Sequence, residues 1–212
     1  MKKMTFFFVG ILLLFSNVLN AQNWRFGLTL APTTNWLTNE NKDIETSSKL
    51  SLGYGLIADY QFDERYAVST GFFFNKAAAK FTPEPPTIGD TSEISLKVQY
   101  VEIPLTLKLK TNEFGYLTYF AQVGLTPGLA LNSRYDQEIS GGEDIVNEKA
   151  KKFVNNINLS ATIGGGLEYS ISETTSLFAG LFFQNGLLNV IEDNDGDRMS
   201  FGSLSLRLGI FF

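Results

Sequence analysis

The chain has 212 residues, with 22 acidic and 17 basic side chains, a formal net charge of −5, and neither cysteine nor histidine. These absences exclude disulfide scaffolds, thiolate metal sites, a lipid-modified terminal cysteine, the usual zinc sites and catalytic dyads built on histidine, and the negative charge disfavours nucleic acid as a partner. We therefore predict a protein without a cofactor and without enzyme activity, although a carboxylate-only or Ser-Lys site would be compatible with the sequence.

The amino terminus has the three parts of a secretory signal. Lys2 and Lys3 precede an apolar stretch at residues 6–15, and Ala21 stands before a polar segment that begins at Gln22. We predict that residues 1–21 are a cleaved signal peptide and that residues 22–212 form one domain, whose charge is two units more negative than that of the full chain. The apolar stretch is shorter than the roughly 20 residues of a spanning helix, and no second long one follows, which disfavours a helical membrane protein.

Period-2 alternation of apolar and polar residues dominates the mature sequence. Ile157, Leu159 and Ile163 alternate with small or polar residues, and the segments around 101–109 and 204–212 repeat the pattern. This periodicity predicts an all-β protein with eight strands, at about 23–31, 51–62, 66–76, 95–110, 115–131, 154–171, 175–185 and 199–212.

The predicted connections alternate in length. Those after strands 2, 4 and 6 are short, whereas those after strands 1, 3, 5 and 7 are long and polar, at about 32–50, 77–94, 132–153 and 186–198. Short turns at one end and long loops at the other are typical of an up-and-down antiparallel transmembrane barrel in the outer membrane of a Gram-negative bacterium. The long loops are where any recognition is expected.

Aromatic residues on the apolar face support a membrane placement. One set falls near the short turns and a second near the long loops, as interfacial girdles do. The alternative is that these are core aromatics of a soluble sandwich or a secreted lipocalin-like binding protein, whose strands also alternate. The first set is Trp24, Tyr60, Phe62, Tyr119, Tyr169 and Phe212, and the second is Tyr54, Phe74 and Phe183.

Three segments resemble the small outer-membrane β-barrel proteins of Bacteroidota, often called porin-family or PorT-like proteins. They are NAQ at 20–22, QYVEIPLTLK at 99–108 and RLGIFF at 207–212. The resemblance covers the mature chain and implies an eight-stranded barrel in outer-membrane lipid. It also implies insertion by the barrel-assembly machinery, which reads a terminal aromatic after alternating apolar residues, here Leu208, Ile210 and Phe212. We expect a monomer.

The inward face of such a barrel would carry three acids and three bases, all but Glu102 toward the short-turn end. We predict that they form a charge-compensated network that plugs the lumen, because a low-dielectric interior tolerates charges only when they are paired. Phe73, Phe178 and Phe182 should also point inward, and a polar path for a small solute is the alternative. The six residues are Arg25, Asp59, Glu102, Lys108, Glu168 and Arg207.

Three other features bear on the fold or on a ligand. Pro104 interrupts a predicted strand, so we expect a bulge or a water-bridged gap there. The glycine run at 164–166 lacks the Lys-Ser/Thr sequel of a phosphate loop and predicts close packing instead. Asp193, Asp195 and Asp197 have the spaced carboxylates of a calcium loop but not the glycine or the twelfth-position acid of an EF-hand, so a solvated loop is favoured over a metal site.

The sequence predicts a structural or surface-interaction role and names no ligand. A narrow passive channel for small solutes and an outer-membrane enzyme are the alternatives. A carboxylate pair such as Asp59 with Glu168 could in principle do acid-base chemistry, but nothing in its spacing singles it out.

Overall fold

The structure is a computed structural model that describes residues 23–39, 46–81, 92–139, 145–149, 155–190 and 199–212. Most of these residues lie in strands, and within the described ranges no helix is long and apolar enough to cross a membrane. The strands are β1 Trp24–Asn39, β2 Thr46–Gln61, β3 Tyr66–Phe81, β4 Ser92–Glu102, β5 Leu105–Lys110, β6 Leu117–Ile139, β7 Ile145–Lys149, β8 Ile157–Ser170, β9 Ser176–Gly186 and β10 Met199–Phe211.

These strands form one closed antiparallel barrel. The order around the barrel is β1, β2, β3, then β4 with β5, then β6, β8, β9 and β10, and β10 returns to β1 with Gly27 opposite Phe211. β4 and β5 lie end to end in one barrel strand, and β7 is a short addition that pairs with β6 beyond the wall. The wall therefore contains eight strands in up-and-down order, which confirms the predicted fold.

The short turns occur where they were predicted, and they define one end of the barrel. Between β2 and β3, the backbone amide of Tyr66 donates to the carbonyl oxygen of Asp63 at 3.4 Å, and the Arg65 amide donates to Asp63 Oδ1 at 3.2 Å. Residues 111–116 and 171–175 make the other two. We call this the short-turn end and the opposite end the long-loop end.

Several strands extend further toward the long-loop end than the sequence predicted. β1, β2 and β3 have 16 residues each and β6 has 23, whereas a barrel strand needs roughly 9–11 to cross a membrane. Parts of the predicted loops at 32–50, 77–94 and 132–153 are therefore strand. The alternation fails there because the outer face is no longer apolar, as at Thr34, Thr38 and Arg134.

Pro104 makes a gap in the ladder without a bulge. Phe73 pairs with Glu102 and Ser69 with Thr106 on one side, and Glu102 pairs with Gly128 and Leu105 with Leu125 on the other. The register is the same before and after the gap, so of the two predicted alternatives, a bulge or a gap, the structure has the gap. A proline without an amide hydrogen simply leaves one bond unmade. A shift does occur elsewhere, where Leu131 is the extra residue between the pairs Gln99–Asn132 and Tyr100–Ala130.

The two faces of the wall have opposite chemistry. Leu30, Leu105 and Leu181 point outward and are 56%, 61% and 58% exposed. Asp59 and Lys108 point inward and are 0% and 1% exposed. The apolar residues therefore line the outside and the charges the inside.

Aromatic pairs border the apolar outer face at both ends. Near the short turns the Trp24 and Tyr60 ring centroids lie 5.0 Å apart, and Phe62, Tyr119, Tyr169 and Phe212 are exposed. Toward the long loops, Tyr54 and Phe74 stack at 5.4 Å and Phe183 lies 6.1 Å from Trp36, a residue that the sequence analysis had not assigned to a girdle.

Candidate functional site: a filled lumen

Four charged side chains from four strands meet inside the barrel at the short-turn end. Arg25 Nη1 lies 2.8 Å from Glu168 Oε2, and Lys108 Nζ lies 2.5 Å from Glu168 Oε1 and 2.6 Å from Asp59 Oδ2. We call Arg25, Asp59, Lys108 and Glu168 the basal charge cluster. Lys108, between two carboxylates, holds the cluster together.

Hydroxyl groups complete the basal charge cluster. Ser69 Oγ donates to Asp59 Oδ1 at 2.5 Å, and Arg25 donates through Nη2 to Ser176 Oγ. Ser69 stands opposite Asp59 on the neighbouring strand, and Ser176 lies on β9, two strands from Arg25. The alternation that turns the charges inward turns both hydroxyls inward as well. Buried carboxylates and cations are tolerated only with such partners.

An aromatic layer lies against the basal charge cluster. The Arg25 guanidinium is 4.5 Å from the centroid of the Phe211 ring, and Lys108 Nζ is 4.7 Å from the Phe120 centroid and 4.6 Å from that of Phe211. These are cation–π distances. Inward Phe73, Phe178 and Phe182, as predicted, pack in the same layer with Ile57, Phe120 and Phe211.

The other two predicted lumen residues lie apart from the basal charge cluster. The Arg207 guanidinium stacks on the rings of Phe73 at 4.6 Å and Phe182 at 4.2 Å, and its electrostatic partner is Glu102. Asn75 Nδ2 donates to Glu102 Oε1 at 3.5 Å. The six residues thus form two groups, and Arg207 belongs with Glu102 rather than with the short-turn charges.

Gly164 makes room for the ring on which Arg207 stacks. A Cβ atom at Gly164 would lie only 2.3 Å from the Phe182 ring, which is far inside van der Waals contact. The glycine run is therefore a place of close packing, as its position in an alternating strand predicted, and not a phosphate loop.

Uncharged groups fill the lumen above Arg207. Thr126 and Thr162 hydroxyls are 2.7 Å apart, and Ser203 Oγ donates to Gln184 Oε1 at 3.1 Å. Nearer the long loops there is an upper apolar cluster, made of Leu37, Ala77, Val98, Tyr100, Val190 and Phe201. This cluster could not be predicted from the sequence, because Leu37, Ala77 and Val190 fell in predicted loops.

Little space remains between these side chains. The cavity bordered by Ser69, Lys108, Gln122, Phe182 and Arg207 has a volume of about 20 Å³, enough for about one water molecule. The lumen is therefore packed in its short-turn half.

The remaining predicted site residues are those of the terminal strand and the three aspartates of the last long loop. Leu208 and Phe212 lie on the exposed outer face of the terminal strand, Ile210 is half-buried on the same face, and the Phe212 amide donates to the Phe26 carbonyl oxygen at 2.9 Å. Asp193, Asp195 and Asp197 lie outside the described residues. Within the described ranges, no group of three or more acidic residues is arranged to hold a metal ion.

A closed antiparallel barrel with an apolar exterior, aromatic borders and a charged, filled interior is an outer-membrane β-barrel. The soluble lipocalin-like alternative is wrong, because a soluble barrel would place its charges outside and its leucines inside. The model of the family described as "Outer membrane protein beta-barrel domain" matches residues 20–192, and the chain belongs to this family. The protein is accordingly an outer-membrane protein.

Several solved outer-membrane proteins are similar to this chain at low sequence identity. The outer membrane protein OprG from Pseudomonas aeruginosa is 9% identical, with a TM-score of 0.52, covering 88% of this chain and 95% of its own. Ail, the attachment invasion locus protein of Yersinia pestis, is 14% identical, with a TM-score of 0.43, over 90% of this chain and 99% of its own. Neisserial surface protein A is 11% identical, with a TM-score of 0.44, over 88% and 97%. No curated protein matches the sequence.

Proposed function

We propose that this protein is a closed, non-enzymatic barrel with a structural or surface-interaction role, of the porin-family or PorT-like kind found in Bacteroidota. Residues 1–21 direct its export, and it is inserted as a monomer by the barrel-assembly machinery, which reads Leu208, Ile210 and Phe212. The porin-like sequence segments and the outward position of the terminal apolar residues support this assignment.

The filled lumen is the observation that best supports a closed, non-conducting barrel. Eight-stranded barrels have interiors that side chains can fill, and here ion pairs and aromatic rings leave a cavity of about 20 Å³ beside Lys108 and Arg207. A hydrated solute would have to displace Lys108 from two carboxylates, which leaves buried charges unpaired. Interaction is therefore assigned to the outer surface and the long loops.

The same contacts argue against an enzyme in the lumen. Asp59 and Glu168, the acid pair that could have served acid-base chemistry, are both occupied by Lys108 and are at most 3% exposed. A substrate could not reach them without opening the barrel.

Conductance of the purified protein in planar lipid bilayers tests the closed lumen. We expect no discrete current steps from the wild type, while an open porin in the same bilayers gives regular steps. The double variant Phe182→Ala with Arg207→Ser removes two side chains that border the residual cavity and should raise the frequency of openings. Uniform steps from the wild type would replace this proposal with the passive channel.

A further inference from the structure

Arg207 is a buried cation whose hydrogen-bond donors have no acceptor in the described part of the chain. Its side chain is 8% exposed, and none of its N–H groups is hydrogen-bonded to a described residue. Phe73 and Phe182 stabilise its charge, but their rings do not accept conventional hydrogen bonds. Among the described carboxylates only Glu102 acts on its charge, from beyond the 4.0 Å of an ion pair. Because burying an unbonded charged donor is costly, we expect an acceptor from outside the chain.

Two other donor groups border the same small cavity as Arg207. Gln122 on β6 is 8% exposed, and its side-chain amide likewise has no hydrogen-bond partner among the residues that the structure describes. Lys108 on β5 uses two of its three N–H groups on Asp59 and Glu168, so that a third remains. Donors from three strands therefore surround one space.

The lining of this cavity is electrically positive. Two cations, Lys108 and Arg207, border it, and none of its described lining residues is acidic. The hydroxyls of Ser69 and Thr106 also line it, but they donate to Asp59 Oδ1 and to the Ser69 carbonyl oxygen. The other lining side chains are aromatic or aliphatic. Since charges act strongly on one another where water is excluded, the cavity favours an anion over a cation or a neutral molecule.

The lumen carries one more base than acid between the short turns and Glu102. The sequence analysis counted three of each, but Lys110 also points inward. Alternation on β5 places it on the side of Lys108, it is half-buried, and its charge interacts with Glu168 and Asp59. One monovalent anion would balance this excess. The described bases are Arg25, Lys108, Lys110 and Arg207, and the described acids are Asp59, Glu102 and Glu168.

The size of the cavity restricts the kind of anion. Its volume of about 20 Å³ has room for roughly one particle the size of a water molecule. Chloride and bromide are monatomic, carry one negative charge and exceed a water molecule only slightly in size. Sulfate, phosphate and organic carboxylates are too large for this space.

We propose that this cavity binds a halide ion, chloride under physiological conditions, through the Arg207 guanidinium, the Gln122 amide and the Lys108 ammonium group. The ion accepts hydrogen bonds from these donors and is enclosed when the barrel closes, so it should exchange slowly with the solvent. The proposal goes beyond the surface-interaction role and does not depend on it. The conductance experiment and a halide-binding experiment can therefore fail independently.

Crystals of the protein refolded in bromide test the proposal directly, because bromide scatters X-rays anomalously and can replace chloride. Refolding from urea in bromide buffer loads the site before the barrel closes. We expect an anomalous difference peak within hydrogen-bonding distance of Arg207 and Gln122. A water molecule between these two side chains, without an anomalous peak, would overturn the proposal. Peaks confined to the outer surface would mean an adventitious ion only and would overturn it as well.

Urea titration of the vesicle-inserted protein measures the same binding without crystals. An ion that binds only the folded barrel raises the free energy of unfolding as its concentration rises. When chloride replaces gluconate at constant ionic strength, the urea midpoint of the wild type should therefore rise progressively, and bromide should act like chloride. Equal midpoints in chloride and gluconate would contradict a halide site.

Two matched glutamine variants separate the site from a general loss of stability. Gln122→Leu removes the amide beside Arg207, and the chloride affinity should fall on the order of tenfold. Gln184→Leu removes an equally buried amide, 5% exposed, that does not border the cavity. This control should lower the midpoint in every buffer but keep the chloride dependence of the wild type.

The comparison of the two variants can also contradict the proposal. Full chloride dependence in Gln122→Leu, or its loss in both variants, would show that the ion does not bind in this cavity. If Gln122→Leu does not fold, the bromide crystals of the wild type decide the matter.

Discussion

The two halves of the lumen are closed by different means. At the short-turn end, Arg25, Asp59, Lys108 and Glu168 form a chain of ion pairs beneath phenylalanine rings. At the long-loop end the upper apolar cluster fills the space without a charge. Buried ion pairs require every partner, whereas apolar packing tolerates small losses. A single substitution in the short-turn half should therefore lower the free energy of unfolding more than a single substitution in the long-loop half.

The two tryptophans allow each half to be followed separately. Trp24 lies near the short turns, and Trp36 lies toward the long loops beside Phe183. Replacing either with Phe leaves one fluorescent reporter, so that urea titrations of the vesicle-inserted protein can compare the two halves.

The largest effect is expected for Lys108→Ala. This change leaves Asp59 and Glu168 buried without their shared cation, and we expect a loss of about 4 kcal/mol in the free energy of unfolding, since breaking a buried pair costs about 3–5 kcal/mol. Urea titration with the Trp24 reporter measures it. The double variant Lys108→Met with Asp59→Asn keeps the Arg25–Glu168 pair and should recover most of the lost unfolding free energy. An unchanged urea midpoint for Lys108→Ala would show that the ion pairs do not stabilise this half.

Arg207→Ala should have the next largest effect. It removes two cation–π contacts and the charge that faces Glu102, for an expected loss of about 3 kcal/mol in unfolding free energy. Adding Glu102→Gln should restore part of it, because no buried carboxylate then lacks a counter-charge. Thermal stability equal to that of the wild type in Arg207→Ala would contradict the role assigned to this pair.

Val98→Ala in the upper apolar cluster should have the smallest effect. Val98 is 1% exposed, and removal of two methyl groups should cost about 2 kcal/mol through lost burial and the cavity left behind. The loss, followed with the Trp36 reporter, should not depend on salt. A loss larger than that of Lys108→Ala would reverse the comparison between the two halves.

The sequence was sufficient to predict the fold because one simple rule applies along most of the wall. Alternation assigns Leu105 outward and Lys108 inward without any knowledge of the partner strands. It does not predict which inward residues share a level, since that depends on the stagger between strands, and this is why Arg207 was grouped with the short-turn charges instead of with Glu102.

The rule fails where the outer environment changes. Beyond the apolar band, Thr38, Lys97 and Arg134 occupy outward positions, and a strand with polar residues on both faces resembles a loop. The bulge at Leu131 and the register shift after Ser48 leave no local signal either. The strand extensions toward the long loops contain these features, so their length could be recognised only in three dimensions.

The pairing of the first strand with the last also determines when the barrel can close. Gly27 pairs with Phe211, and the Phe26 carbonyl oxygen accepts a hydrogen bond from the Phe212 amide. One edge of β1 therefore has no partner strand until β10 has been synthesised. During that interval both edges can pair with another chain, which is how unfinished sheets aggregate. We therefore expect synthesis and closure to be separate events, with β1 held away from other sheet edges until β10 is present.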